Sequence, residues 1–411
     1  MDHDNNTSRS PFSPLRVGPL TLRNRFIKAA TNEGMSVDGV PSKQLVRFHE
    51  SMAAGGTAMT TLAYCSVSPD GRTLPGQIVL QPDSLTHLRV LTDAVHRHGA
   101  AASAQITHGG CFTFMPERST PRPFSASGGF NKIGMLSGMF RKQAMTEADM
   151  DQVVLEFAQG ARLAREAGFD AVEIHMGHGY LLSQFISPLY NKRRDAYGGS
   201  LENRLRFPRQ VLRAVLDAVG RDMAVLCKYS ITEGVKGGNQ PEDGVTIARL
   251  LEAEGANMLV LSAGMNAESI TTMFGSSFPK ENRVRPSNPL VAAAMAIQQL
   301  RERPVDFREL YLLEHSRRIR QAVKVPLAYL GGVTSLRGVQ QVLDEGFDAL
   351  ALGRALIAEP DLVAKFSSGS SQQGICTACN RCVAMMYTPG GTSCVLGAPG
   401  DPVLNAQAAA S

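Results

Sequence analysis

The sequence contains no tryptophan, and aromatic residues fill only 6% of its 411 positions. A core built from it must therefore rest on Ala, Val, Leu, Ile and Met rather than on large rings. Long apolar runs are missing too. No stretch approaches the roughly 18 uninterrupted apolar residues of a membrane span, and the first ten residues are almost wholly polar, unlike a secretory signal. A soluble, cytoplasmic protein without a membrane partner is expected. Charge of one sign is equally scarce: 42 Lys and Arg against 37 Asp and Glu leave a formal charge of +5. The longest basic run, Lys192-Arg193-Arg194, is closed at once by Asp195. No polybasic arm exists, so nucleic acid is not an expected partner. Seven cysteines, an odd number in a chain without a leader, argue against a disulfide framework and for a reducing compartment. With 43% hydrophobic and 19% charged residues, 39 Gly and 22 Pro, the chain is neither disordered, collagenous nor a coiled coil.

What is present is an alternation. Short β-branched or apolar runs at 26–30, 58–64, 100–106, 171–175, 224–229, 258–262, 326–330 and 349–352 read as strands. Helical periodicity fills 42–54, 83–98, 146–167, 200–219, 241–254, 307–323, 335–345 and 359–366. Gly99, Gly168, Gly255 and Gly346 close several of these helices as C-terminal caps do. Eight strands alternating with eight helices predict an α/β fold, a (β/α)8 TIM barrel, over residues 1–366. Two connections are long, 107–145 after strand 3 and 263–303 after strand 6. Both leave the C-terminal strand ends, where barrel enzymes hold their chemistry, so they read as substrate loops or lids. Beyond 366 a Ser/Gly/Gln stretch, 367–374, reads as a linker into a Cys-rich tail, making 367–411 a separate segment.

Strand 7 ends in Gly331-Gly332 and strand 8 in Gly353-Arg354. Backbone N–H groups at these two positions, with an arginine beside them, form the recurring phosphate site of such barrels. No G-x-G-x-x-G sits between a strand and a helix, so a Rossmann domain is not indicated.

The stretch from His175 to Arg206, H-M-G-H-G-Y-L-L-S-Q-F-I-S-P-L-Y-N-K-R-R-D-A-Y-G-G-S-L-E-N-R-L-R, resembles the signature of the old yellow enzyme family of FMN-dependent NAD(P)H oxidoreductases. The resemblance continues in residues 22–30 (L-R-N-R-F-I-K-A-A) and 105–109 (Q-I-T-H-G), and covers about 11–366. It implies FMN at the C-terminal mouth of the barrel and NAD(P)H as reductant. By this resemblance Gln105 meets the pyrimidine edge of the flavin, Ala29, Ala30 and Ala63 pack against the ring, and Lys228 supplies the cation beside N1 and the C2 carbonyl. Lys228 departs from the commoner Arg, exchanging a fork for a point charge. Asn32 stands where some relatives carry a Cys or Thr. It cannot form the covalent flavin link of the amine dehydrogenases, so FMN is expected to be non-covalent.

His175 and His178 follow strand 4 at i and i+3, with Tyr180 two further on. Two imidazole donors on one oxygen polarise a carbonyl and make the conjugated β-carbon electrophilic, while a phenol can protonate the α-carbon. These roles match the family's substrate pair and proton donor. A metal would need a third ligand that the spacing does not offer. An ene-reductase acting on enones or enals is the reading this favours.

Cys376, Cys379, Cys382 and Cys394 follow C-x2-C-x2-C-x11-C. Such spacing can hold a [4Fe–4S] cluster or zinc, or be an empty remnant. It resembles the subgroup with trimethylamine dehydrogenase and dienoyl-CoA reductase, where the cysteines carry [4Fe–4S]. Two other readings therefore stand beside the ene-reductase: a dehydrogenase or demethylase passing electrons to a partner, and a non-catalytic iron–sulfur sensor. The expected partners are a nicotinamide, a small substrate and, in a homo-oligomer, further copies of the chain. The tail is expected to be independent of the flavin residues.

Overall fold

The structure, a computed structural model, describes residues 9–134, 138–279, 304–388 and 390–396. Eight parallel strands close a barrel in chain order: β1 (Phe26–Lys28), β2 (Met59–Ser66), β3 (Ala101–Thr107), β4 (Ala171–Met176), β5 (Ala224–Ser230), β6 (Met258–Ser262), β7 (Leu327–Tyr329) and β8 (Ala349–Leu352). β8 returns to β1 through Leu350↔Phe26 and Leu352↔Lys28. Each strand lies within a predicted run or overruns it by one or two residues, and the (β/α)8 architecture is the one the alternation implied.

The helices follow in turn: α1 (Lys43–Ala54), α2 (Leu85–His96), α3 (Glu147–Glu166), α4 (Leu201–Val219), α5 (Pro241–Glu254), α6 (Leu313–Ala322), α7 (Leu336–Asp344) and α8 (Leu362–Ser368). Their starts obey side-chain capping. Ser42, Thr146, Ser200 and Ser335 each accept a backbone N–H three residues on, and Asp149 completes a capping box with Thr146. Two boundaries differ from the sequence reading. α6 begins at Leu313 rather than at 307, because Leu310 takes a left-handed φ of 59° and Glu309 turns away to accept from the N–H groups of Thr334 and Ser335 at 2.7 Å each. The predicted 359–366 helix starts only at Leu362, as α8, and a separate short helix that the sequence reading lacked, Arg354–Ala358, precedes it and stops before Pro360.

Strand alternation sorts the side chains. On β4, Val172, Ile174 and Met176 face outward into the large core under the helices. Ala171, Glu173 and His175 face the barrel axis. β5 repeats the pattern with Ala224, Leu226, Lys228 and Ser230 inward, paired residue for residue with β4 as Ala171↔Ala224 and His175↔Lys228. The N-terminal end of the barrel is closed by a separate apolar cluster of Ile27, Met59, Ala171, Ala224, Met258 and Ala349, stoppered by Leu15, Val17 and Leu22 of an antiparallel pair that the sequence reading lacked.

The connection after β3 folds into a small three-stranded sheet, Phe124–Ser125 and Gly129–Phe130 flanking Arg141–Ala144. Of the long connection after β6, residues 263–279 are described and 280–303 lie outside the described residues. No helix among the described residues is long and apolar enough to cross a membrane.

Candidate active site

At the C-terminal mouth the inward layer turns polar: Gln105 on β3, His175 on β4, Lys228 on β5 and Ser262 on β6. They line one cavity of about 200 Å³, open on one side, together with Ala29, Ala30, Asn32, Tyr180, Gly332, Gly353 and Arg354. Most predicted site residues are thus brought together. Ala63 stands just behind, clustered with Ala30, Tyr64 and Tyr180, and Gly331 is turned into the protein, where a Cβ would meet the Tyr329 hydroxyl at 2.3 Å.

Lys228 is 4% exposed, and its Nζ donates to the Ala30 carbonyl at 3.1 Å. Burial lowers its pKa, opposed by the nearby Glu173 carboxylate. Glu173 in turn accepts from Gln105 Nε2 at 2.7 Å, which fixes the way the Gln105 amide faces. A buried cation on β5 and an oriented amide on β3, both facing Glu173 of the strand between them, match the pyrimidine edge of a flavin, whose reduced form gathers negative charge there. Glycines 332 and 353 leave the ends of β7 and β8 without side chains. At Gly332, with φ 76°, a Cβ would meet Phe307 at 2.7 Å. These residues fit FMN: Lys228 and Gln105 would hold its ring edge, and the strand ends at Gly332 and Gly353 would leave room for its phosphate.

His175 Nε2 lies 3.0 Å from His178 Nδ1, and His178 Nε2 lies 2.7 Å from Ser262 Oγ. His178 takes a left-handed φ of 61°, held by Ser230 Oγ accepting its N–H at 3.2 Å and by its own carbonyl accepting from Asn266 N at 3.2 Å. Burial, followed by neighbouring positive charge, lowers both imidazole pKa values well below the ordinary range, so both rings are neutral at pH 7. Tyr180 opens the short helix Leu181–Ile186, its ring 4.5 Å from that of His175 and 5.2 Å from that of Tyr64. Burial raises its pKa well above the usual phenol value, so it keeps its proton, and the Asn266 side chain lies beside its hydroxyl.

The tail departs from expectation. It lies across the mouth and supplies Cys376, Ala378, Val383, Met386, Tyr387 and Thr392 to the cavity wall. Thr392 N donates to the Glu33 carbonyl at 2.7 Å, and Gly34 packs so closely on Met386 that a Cβ would fall 2.0 Å from its carbonyl oxygen. Arg354, read as a phosphate clamp, also serves the tail. Its guanidinium donates to the carbonyls of Phe274 at 2.6 Å and Ala378 at 3.2 Å and to the side chain of Asn380, between the rings of Phe274 and Phe307. On its far side Cys376, Cys379, Cys382 and Cys394 line a second cavity, of only about 10 Å³. Burial raises the thiols of Cys376 and Cys382, the latter to about 12. Among the described residues no three metal-ligating side chains stand in ligating geometry, so the four sulfurs share a cavity without forming a closed site.

Sequence reasoning missed Ser262, Tyr64, Asn266 and the tail's contribution. Ser262 was within reach, since it ends a predicted strand at the inward position two beyond Val260. Nothing local marks Tyr387 or Met386, which arrive through the fold of the tail.

The comparisons agree with this geometry. The profile of the NADH:flavin oxidoreductase / NADH oxidase family matches residues 10–293. The chain is 41% identical over 391 residues to a 4,4'-dithiodibutanoate disulfide reductase of Rhodococcus erythropolis, covering 94% of this chain and 95% of the relative. It is 31% identical to an NADH oxidase of Thermoanaerobacter brockii over 90% of its own length, spanning only 52% of that protein. Morphinone reductase in complex with tetrahydroNAD superposes with a TM-score of 0.68 at 23% identity, over 89% of this chain and 92% of the other, a likeness of fold. The chain therefore belongs to the NADH:flavin oxidoreductase / NADH oxidase family, the old yellow enzymes, and is an FMN-dependent NAD(P)H oxidoreductase of that type.

Proposed function

We propose that the protein reduces the activated C=C bond of α,β-unsaturated carbonyl compounds, with His175 and His178 gripping the carbonyl oxygen and Tyr180 donating the proton. The observation that carries this reading is the 3.0 Å separation of His175 Nε2 and His178 Nδ1 at the cavity wall, with the Tyr180 ring against His175. FMN, when bound, accepts hydride from NAD(P)H and supplies it to the substrate. The chain's own residues do the rest. Lys228 and Gln105 hold the flavin edge. Two neutral N–H donors at one oxygen stabilise the enolate charge that develops as the β-carbon is reduced. Tyr180, kept protonated by burial, completes saturation at the α-carbon.

A second reading is favoured by the Rhodococcus relative, which matches nearly end to end and is a disulfide reductase. Here NAD(P)H, one proton and a disulfide become NAD(P)+ and two thiols: hydride adds to one sulfur, the S–S bond breaks, and the leaving thiolate takes the proton. A thiolate leaves without prior protonation, so this reaction leans less on Tyr180. Cys376, Cys379, Cys382 and Cys394 line one small cavity and are the residues that would hold a [4Fe–4S] cluster or zinc, which would require the sulfurs to draw into a ligating geometry they do not have here. The unpaired thiols suit a reducing, cytoplasmic setting.

The test is Tyr180→Phe, which keeps the ring and removes the acid. NAD(P)H oxidation in single turnover is expected at the parental rate, while cyclohexenone reduction slows by about 10²–10⁴-fold. An aliphatic disulfide turned over equally well by both proteins, with cyclohexenone a poor substrate of both, would favour the second reading.

A further inference from the structure

The hydrogen-bond chain His175–His178–Ser262 raises a question of protons that the substrate role of the two histidines does not answer. A neutral imidazole carries one N–H, so each ring presents one donor and one acceptor. His175 Nε2 and His178 Nδ1 face each other, so one of them donates and the other accepts. Among the described residues His175 Nδ1 is buried and has no hydrogen-bond partner. Placing the proton there would strand a buried N–H, the rarer and costlier orphan. The proton therefore sits on Nε2 of His175, His178 Nδ1 accepts it, and His178 carries its own proton on Nε2, donated to Ser262 Oγ at 2.7 Å.

A substrate oxygen entering between the rings needs a donor from each. His175 Nε2–H already is one. His178 must present Nδ1–H, which empties Nε2 and leaves its lone pair in a 6% exposed ring. Ser262 Oγ is the group in contact with Nε2, and a hydroxyl can accept in the first state and donate in the second. We infer that Ser262 is a positioning residue that switches the tautomer of His178 when an oxyanion binds, turning its own hydroxyl from acceptor to donor. The exchange conserves protons, one being taken up at Nδ1 from cavity water and one returned to water from Nε2. The frame around the ring suits this. The backbone of His178 is pinned in its left-handed conformation by Ser230 and Asn266, and its buried ring is held at both nitrogens by His175 and Ser262, which favours a change of protons over a change of position. The inference rests on the proposed role of the histidine pair.

The experiment uses the FMN-loaded enzyme with nitrogen-15 histidine and p-nitrophenol, a phenolate that mimics the enolate oxygen. His178 is expected to shift from the Nε2–H to the Nδ1–H tautomer on binding. An unchanged tautomer, or an imidazolium protonated on both nitrogens, overturns the switch. Calorimetry with Ser262→Ala is expected to show about tenfold weaker phenolate binding, because water can replace the hydroxyl in the open cavity but not beneath a bound ligand. Ser262→Thr, which restores the hydroxyl, should recover it. A structural defect would not be rescued so selectively, and thermal midpoints of the variants provide the check. If His175→Ala/His178→Ala loses the phenolate while Ser262→Ala keeps it, the pair stands and the switch is wrong. If the double variant binds as tightly as the parent, the reading of the pair fails and the switch fails with it.

Discussion

The two ends of the barrel are made from the same eight strands and contrast completely. At the N-terminal end the inward positions are Ile27, Met59, Ala171, Ala224, Met258 and Ala349, sealed by Leu15, Val17 and Leu22. Four residues along β4, and likewise along β5, the inward side chains are His175 and Lys228, with Gln105 and Ser262 beside them. One end removes apolar surface from water and needs only volume. The other buries a cation, a carboxylate and two imidazoles, and survives because each has a partner: Lys228 the Ala30 carbonyl, Glu173 the Gln105 amide, His175 the His178 ring, and His178 also Ser262. The strand ladder makes that placement rigid, which is what a site for developing charge requires. Stability and chemistry are thus segregated along the barrel axis.

The sharpest way to break this contrast is to empty the polar end. His175→Ala/His178→Ala removes both donors to the substrate oxygen and should slow enone reduction by about 10³-fold or more, since loss of one such donor costs about 10²–10³. Reduction of the bound flavin by NAD(P)H, followed by its bleaching in stopped flow, should change far less. The reciprocal substitution is Met258→Ala. Truncating this fully buried side chain should cost about 2–5 kcal/mol of stability, read as a lowered denaturation midpoint, with FMN affinity unchanged. If FMN is lost with stability, the two ends are not separable.

Between these extremes lies the tail. Asn380, fully buried with φ 60°, donates to Ser276 O at 3.1 Å and Ser276 Oγ at 2.9 Å and accepts from Arg354. Asn380→Ala leaves those groups unpaired and frees Arg354, so FMN binding measured by fluorescence quenching should weaken by about tenfold, the equivalent of one buried hydrogen bond to a charge. The smallest effect concerns Glu233, behind the β5 end. Burial raises its carboxyl pKa to about 7, against acceptance of hydrogen bonds from Ser187 Oγ and Asn239 N. A folded pKa above the unfolded value means the folded protein binds the extra proton, so this contribution is present at low pH and is lost as pH rises through about 7. Glu233→Gln should therefore flatten the decline of the thermal midpoint between about pH 4.5 and 7, by a few degrees at most.

Much of this was legible in the chain. Short apolar and β-branched runs placed all eight barrel strands, and the period of two along a strand carries Lys228 and His175 to one layer once the register is known. The His175–Arg206 motif pointed to the family before any geometry. What the sequence could not supply was contact between distant segments. The start of α6 moved because Glu309 found partners at Thr334 and Ser335, twenty-five residues away. The tail was read as detached because a Ser/Gly linker precedes it, yet Arg354 and the backbone at Gly34 hold it over the cavity. Periodicity reports which face of an element is buried, and says nothing of which other element covers it.

The claim at the centre of this account is that the polar end of the barrel holds a substrate oxygen between two neutral imidazoles beside a protonated phenol. A crystal structure of the FMN-loaded enzyme with p-nitrophenolate tests it most directly. The phenolate oxygen is predicted within about 2.6–3.2 Å of both His175 Nε2 and His178 Nδ1, its ring against Tyr180. An oxygen bound instead at Arg354 or at Asn266, with the two imidazoles still paired to each other, would contradict it.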